Sequence, residues 1–87
     1  MASVDPKQVA RAVGRRIAEV RVSRGLTQEA FAESLGISVQ ALRRVELAQT
    51  GVTLTRLVRI ANALRVRVPA FFEAPRTLKV KRGRPAV

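Results

Sequence analysis

Residues 25–38 read GLTQEAFAESLGIS, a glycine and a hydroxyl residue at each end of a stretch barely two helical turns long. Thr27 and Ser38 have side-chain oxygens suited to satisfying the free N–H groups at a helix start. Gly25 and Gly36 can take the left-handed backbone with which helices stop. The segment between them is therefore a short helix, and Ser38 opens another almost at once. A chain punctuated in this way must fold as short helices meeting at sharp corners, because it leaves no room for a strand or a long loop.

The flanking residues fit the same scheme. Before Gly25, Asp5 can cap a helix with Pro6 at its first position. Val9, Val13, Ile17 and Val20 recur at spacings of four, four and three, one apolar stripe, with Arg11, Arg15, Arg16 and Glu19 off it. In the second helix Ala30, Phe31 and Leu35 are expected to face inward. In the third, Leu42 and Val45 form the apolar face with Ala41 beside them, and Val39, Gln40, Arg43 and Arg44 lie on or near the other face. QTGV is a turn. Thr53 caps a fourth helix, LTRLVRIANAL, with Val52 and Leu57 at the staple positions. Its expected buried side is Leu54, Leu57, Val58, Ala61 and Leu64. RVRV is extended or a turn, and PAFF starts a short fifth helix at about Pro69. Phe31 belongs to the core. Phe71 and Phe72 are adjacent, so one is expected in the core and the other at a dimer seam. Nothing alternates with period two beyond VRV, and no internal repeat is present. The expectation is an all-α, five-helix domain over residues 6–74, with a flexible N-terminus, residues 1–5, and a flexible basic tail, residues 75–87.

Composition narrows the chemistry. Eighty-seven residues make one small domain, expected to be nearly the whole protein. Three Phe are the only aromatics, so Leu, Val, Ile and Ala must build the core. Seventeen Lys and Arg against six Asp and Glu give a net charge of +11, and five of the seventeen fall within residues 76–84, where no acid stands. Such a balance calls for a polyanionic partner. Nucleic acid is favoured over a membrane surface, because no stretch sets a strong apolar face beside a Lys-rich one. Cys and His are absent, which removes disulfides, thiolate chemistry, most zinc sites and the usual general base. No apolar run reaches membrane length, and the N-terminus lacks the apolar region of a signal peptide. A cytoplasmic protein that is not an enzyme, with no cofactor and no membrane association, is expected.

The stretch GRRIAEVRVSRGLTQEAFAESLGISVQALRRVE resembles the lambda-repressor/Cro-like helix-turn-helix family, the XRE family, and the resemblance continues through LTRLVRIANALRVRVPAFF to cover roughly residues 12–73. It implies a five-helix lambda-repressor-like domain that binds double-stranded DNA, with the third helix, residues 38–46, in the major groove. It places Val39, Gln40 and Arg43 toward the bases, flanked by Ser38 and Arg44, and Thr27 and Gln28 at the DNA-facing start of the second helix. Gln28 matches a position that holds a phosphate and buttresses the recognition helix. Arg21 and Glu46 match a structural ion pair that bridges the first helix to the end of the third. The residue types suit base readout, since Gln can pair with adenine, Arg with guanine, and Val can touch a thymine methyl. Without the family motif, Gln28 and Gln40 read first as ordinary solvated helix residues, and Arg43 and Arg44 as a solvated charged face. The sequence also departs from the family, with Ala48 and Arg65 where Gly is frequent, and QTGV where a basic, Pro-containing loop is common.

The tail carries a second resemblance. KRGRP is similar to the core of an AT-hook, in which an extended Arg-Gly-Arg lies along an A·T-rich minor groove. Lys81, Arg82, Gly83 and Arg84 would then supply an auxiliary DNA contact; a nonspecific basic tail is the plainer alternative. The whole points to a sequence-specific transcriptional regulator, a homodimer on a symmetric operator, expected to repress by occupying it with activation as the alternative, located in a bacterial or phage-host cytoplasm at the nucleoid. Rival readings in the same fold are an antitoxin with a toxin as protein partner, a restriction–modification controller, and a coactivator module that docks proteins.

Overall fold

A side-chain cap opens each α-helix of the computed structural model, which describes residues 3–75. Helix α1 (Pro6–Ser23) starts with Asp5 accepting from the Lys7 N–H at 3.0 Å, with Pro6 in its first turn. Helix α2 (Gln28–Leu35) starts with the Thr27 hydroxyl accepting from the Ala30 N–H at 3.0 Å. Ser38 does the same for Ala41 at the start of α3 (Val39–Glu46), at 3.0 Å, and Thr53 for Arg56 at the start of α4 (Leu54–Leu64), at 3.1 Å. Each such cap contributes about 1 kcal/mol.

All four α-helices also end alike. Gly25, Gly36, Ala48 and Arg65 adopt positive φ, at 74°, 71°, 58° and 59°. The next residue then donates its N–H to the carbonyl five positions back: Leu26 to Arg21, Ile37 to Ala32, Gln49 to Arg44 and Val66 to Ala61. The two positions that depart from the family's glycines thus keep the left-handed backbone that a glycine would give, at a steric cost that glycine avoids.

After α4, residues Val68–Phe72 form a 3₁₀ helix. The expected fifth helix is therefore a single tight segment rather than an α-helix. A chain of this length with Pro69 near its start and extended backbone at Glu73 has no room for i→i+4 bonding to propagate.

The core takes at least one fully buried side chain from every element: Ile17 of α1, Phe31 of α2, Leu42 of α3, Ile60 and Leu64 of α4, and Phe71 of the 3₁₀ helix. Each contributes about 1.5–3 kcal/mol of burial. Three inward assignments differ. Ala30 is exposed and Ala32 is buried, because Phe31, Ala32 and Leu35 define the inner face of α2. Leu54 and Val58 are exposed while Ile60 is fully buried. In α4 the buried stripe runs through Leu57, Ile60, Ala61 and Leu64, and Leu54 and Val58 fall on one flank of it. Val9 sits at the exposed end of the α1 stripe.

Helix α1 packs against α3 and the 3₁₀ helix. Gly14 lets it meet α3 closely: a Cβ there would lie 2.5 Å from the Glu46 carbonyl oxygen and 2.7 Å from that of Val45. Arg16 reaches the far end of the domain, donating to the Ala70 carbonyl at 3.0 Å and to Glu73 at 3.0 Å, and also pairs with Glu19 at 3.2 Å. Arg24 donates to the Leu64 carbonyl at 2.8 Å and to that of Arg65 at 3.5 Å, satisfying acceptors left open at the end of α4. Among the described residues no helix is long and apolar enough to cross a membrane.

Candidate nucleic-acid interface

Helices α2 and α3 meet at the corner Gly36-Ile37-Ser38. Gly36 turns the backbone, half-buried Ile37 pins the turn to the core, and Ser38 caps α3. The corner needs all three roles within three residues, which is why the sequence there admits little else. It leaves one face of α3 outward. Gln40, Arg43 and Arg44 are exposed on that helix, while Val39 is half-buried and packed against the core cluster. Thr27 and Ser38 are exposed at the two helix starts, and Gln28 is half-buried.

Behind this face runs a chain of hydrogen bonds across three helices. Arg21 donates through Nε to Glu46 Oε2 at 2.7 Å and through Nη2 to Oε1 at 3.2 Å. Its Nη1 donates to the Leu26 carbonyl at 2.8 Å. Gln28 Nε2 donates to Glu46 Oε1 at 2.9 Å, and Arg43 Nε donates to Gln28 Oε1 at 3.2 Å. The direction of the Gln28 amide follows from chemistry: an ionised carboxylate only accepts, so the NH₂ must face Glu46 and the oxygen must face Arg43. Arg43 is then held by its Nε, and among the described residues no acceptor takes either Nη group. Arg21 and Glu46 are the buried charged residues among those described, and their bidentate geometry is the kind that offsets the desolvation of two ions. With Glu46 so engaged, α3 presents arginines and a glutamine outward and no competing acid.

Other expected site residues lie elsewhere. Phe71 is fully buried, whereas its neighbour Phe72 is 58% exposed. Phe72 borders a cleft of about 530 Å³ together with Val9 and Leu54, both exposed. Lys81, Arg82, Gly83 and Arg84 lie outside the described residues. Sequence reading missed the structural duties of Arg16 and Arg24. The i,i+3 spacing of Arg16 and Glu19 was a usable signal for one of these bonds; the contacts to the end of α4 and to the residues after it left none in the local sequence.

Residues 17–71 match the model of the helix-turn-helix family HTH_3. An uncharacterised HTH-type transcriptional regulator of Rickettsia conorii is 34% identical over 61 residues, covering 70% of this chain and 49% of the relative. Another, of Sinorhizobium fredii, is 38% identical over 80 residues, covering 84% of this chain and 56% of the relative. The chain thus spans about half the length of the curated relatives it matches. Among solved structures, the restriction–modification controller protein C.AhdI from Aeromonas hydrophila superposes with a TM-score of 0.69 at 30% identity, over 72% of this chain and 96% of that one. The hypothetical transcription factor NHTF from Neisseria superposes with a TM-score of 0.70 at 25% identity, over 90% of this chain and 91% of that one.

Proposed function

The chain belongs to the helix-turn-helix family HTH_3, and from that premise we propose that it regulates transcription by binding double-stranded DNA, with α3 seated in the major groove. The observation that carries this reading is the outer face of α3: Gln40, Arg43 and Arg44 are exposed there, and Arg43 is steered by Gln28. Gln40 and Arg43 read base edges, and Arg44 and Gln28 meet the phosphate backbone beside the N-termini of α2 and α3, where Thr27 and Ser38 stand. Val39 touches a base only with the part of its side chain that the core leaves free. A protein of this kind acts where the DNA is, in the cytoplasm at the nucleoid, and catalyses no reaction.

Selection of bound sequences from a random DNA pool tests the reading. The chain should enrich a defined site. On that site Gln40→Ala and Arg43→Ala should each cost about 1–3 kcal/mol and flatten preference at one base position. Full site preference in both variants would show that α3 is not the reading element.

The working unit we propose is a symmetric homodimer on half-sites roughly 34–36 Å apart, with its seam around Phe72, Val9 and Leu54. The reading also keeps residues 6–74 as the domain and assigns Lys81, Arg82, Gly83 and Arg84 to an auxiliary minor-groove contact. A second, narrower reading is a restriction–modification controller. It is favoured by the superposition on C.AhdI, which this chain covers almost entirely.

A further inference from the structure

Helix α1 carries arginines of two kinds. Arg16 and Arg21, and Arg24 at its C-cap, are each committed to acceptors within the domain. Arg11 and Arg15 are not: among the described residues neither makes a hydrogen bond or an ion pair. They stand one turn apart, with Ala18 on the same face of the helix. That face lines a cleft of about 520 Å³, whose other walls include Gln28 at the start of α2 and Arg43 and Leu47 on the α3 side. Arg21 and Glu46 form part of its lining. Four guanidinium groups therefore surround one carboxylate, and that carboxylate already accepts from Arg21 and Gln28.

An unspent cluster of cations beside a surface that meets DNA has a limited set of uses. Base edges offer neutral acceptors, whereas a phosphate offers a full negative charge and acceptor oxygens for several guanidinium donors. Structural need does not account for the two side chains either, since no acceptor among the described residues engages them. From this geometry we infer that Arg11 and Arg15 form a phosphate clamp on α1, gripping the DNA backbone alongside α3. The inference rests on the reading of α3 as the DNA-bound helix and extends it. It makes α1, otherwise a packing partner of α3 and the 3₁₀ helix, part of the binding surface. The grip is blind to sequence, so it adds affinity and fixes orientation without adding readout.

The salt dependence of binding by the full chain to its selected site tests the clamp. Each phosphate neutralised contributes about 0.9 to the slope of log affinity against log salt. Arg11→Gln/Arg15→Gln should therefore bind with a slope shallower by about 1.8, while enriching the same bases from a random pool. Arg11→Gln alone, at an exposed position that the fold does not use, should lose about half of that. Arg11→Lys/Arg15→Lys should restore the slope, because charge is what the phosphate requires. Arg59→Gln/Arg67→Gln removes as much charge from exposed positions outside the cleft and should change the slope far less. An unaltered slope in the Gln variants, or an equal loss in the Arg59/Arg67 control, overturns the clamp and leaves the regulator reading in place. If the wild-type chain enriches no sequence at all, the regulator reading falls and the clamp falls with it.

Discussion

The carboxylate of Glu46 accepts three hydrogen bonds from two other helices, two from Arg21 on α1 and one from Gln28 on α2. Removing the charge while keeping the shape should show what that junction is worth. Glu46→Gln leaves Arg21 buried opposite a neutral amide, and breaking a buried pair in this way costs about 3–5 kcal/mol. Urea denaturation should register a loss near that size; a loss below about 1 kcal/mol, typical of an exposed pair, would mean that the bridge is incidental. If Arg43 reads a base as proposed, the variant's remaining folded fraction should also discriminate less sharply there, since Gln28 no longer has an obligatory orientation. The partnership of Arg21 and Glu46 was legible in the sequence through the family resemblance. The link from Gln28 to Arg43 was not. Its residues are fifteen apart on different helices, and whether they meet depends on the angle at the Gly36 corner, which no spacing rule supplies.

At the scale of the helices, the starts were easier to read than the ends. Asp5, Thr27, Ser38 and Thr53 are capping types directly before apolar periodicity, and all four cap. Gly25 and Gly36 announced two of the left-handed ends; Ala48 and Arg65 concealed the other two, because nothing in their side chains favours that backbone. The concealed ends are correctable. Ala48→Gly and Arg65→Gly should each raise stability, by roughly 0.5–1 kcal/mol once the extra freedom of an unfolded glycine is counted against the relieved strain. Thermal unfolding of the two single variants checks this, and a lowered midpoint in both would contradict it. Gly14→Ala should go the other way despite alanine's better helix propensity, because the added methyl meets backbone carbonyls of α3 rather than a side chain that can swing aside. The inward set of α4 was only half legible for a different reason. Its apolar residues cover more of the helix than its neighbours can bury, so periodicity alone could not say that Leu54 and Val58 would be left on the flank.

For the molecule as a whole, the all-helical plan and the division between core and basic surface followed from the sequence, and the cross-domain ties of α1 required coordinates. The same scale holds the assembly question. If Phe72 lies at a dimer seam, Phe72→Asp should leave the helical fold of the single chain intact, because the side chain is exposed there. It should also shift sedimentation to the monomer and weaken binding to a two-half-site operator. A variant that stays dimeric would move the seam elsewhere. The long reach of Arg16 has a consequence for manufacture as well. Its acceptors at Ala70 and Glu73 lie 54 and 57 positions further along the chain, and Phe71, which closes the core, lies between them. On the ribosome, at about 5–20 residues per second, Arg16 therefore waits roughly 3–11 s for these distant acceptors. Until they have left the exit tunnel, α1 lacks the distant bonds of Arg16 and the side chain that closes its core, and a product that stalls short of Phe71 never gains them.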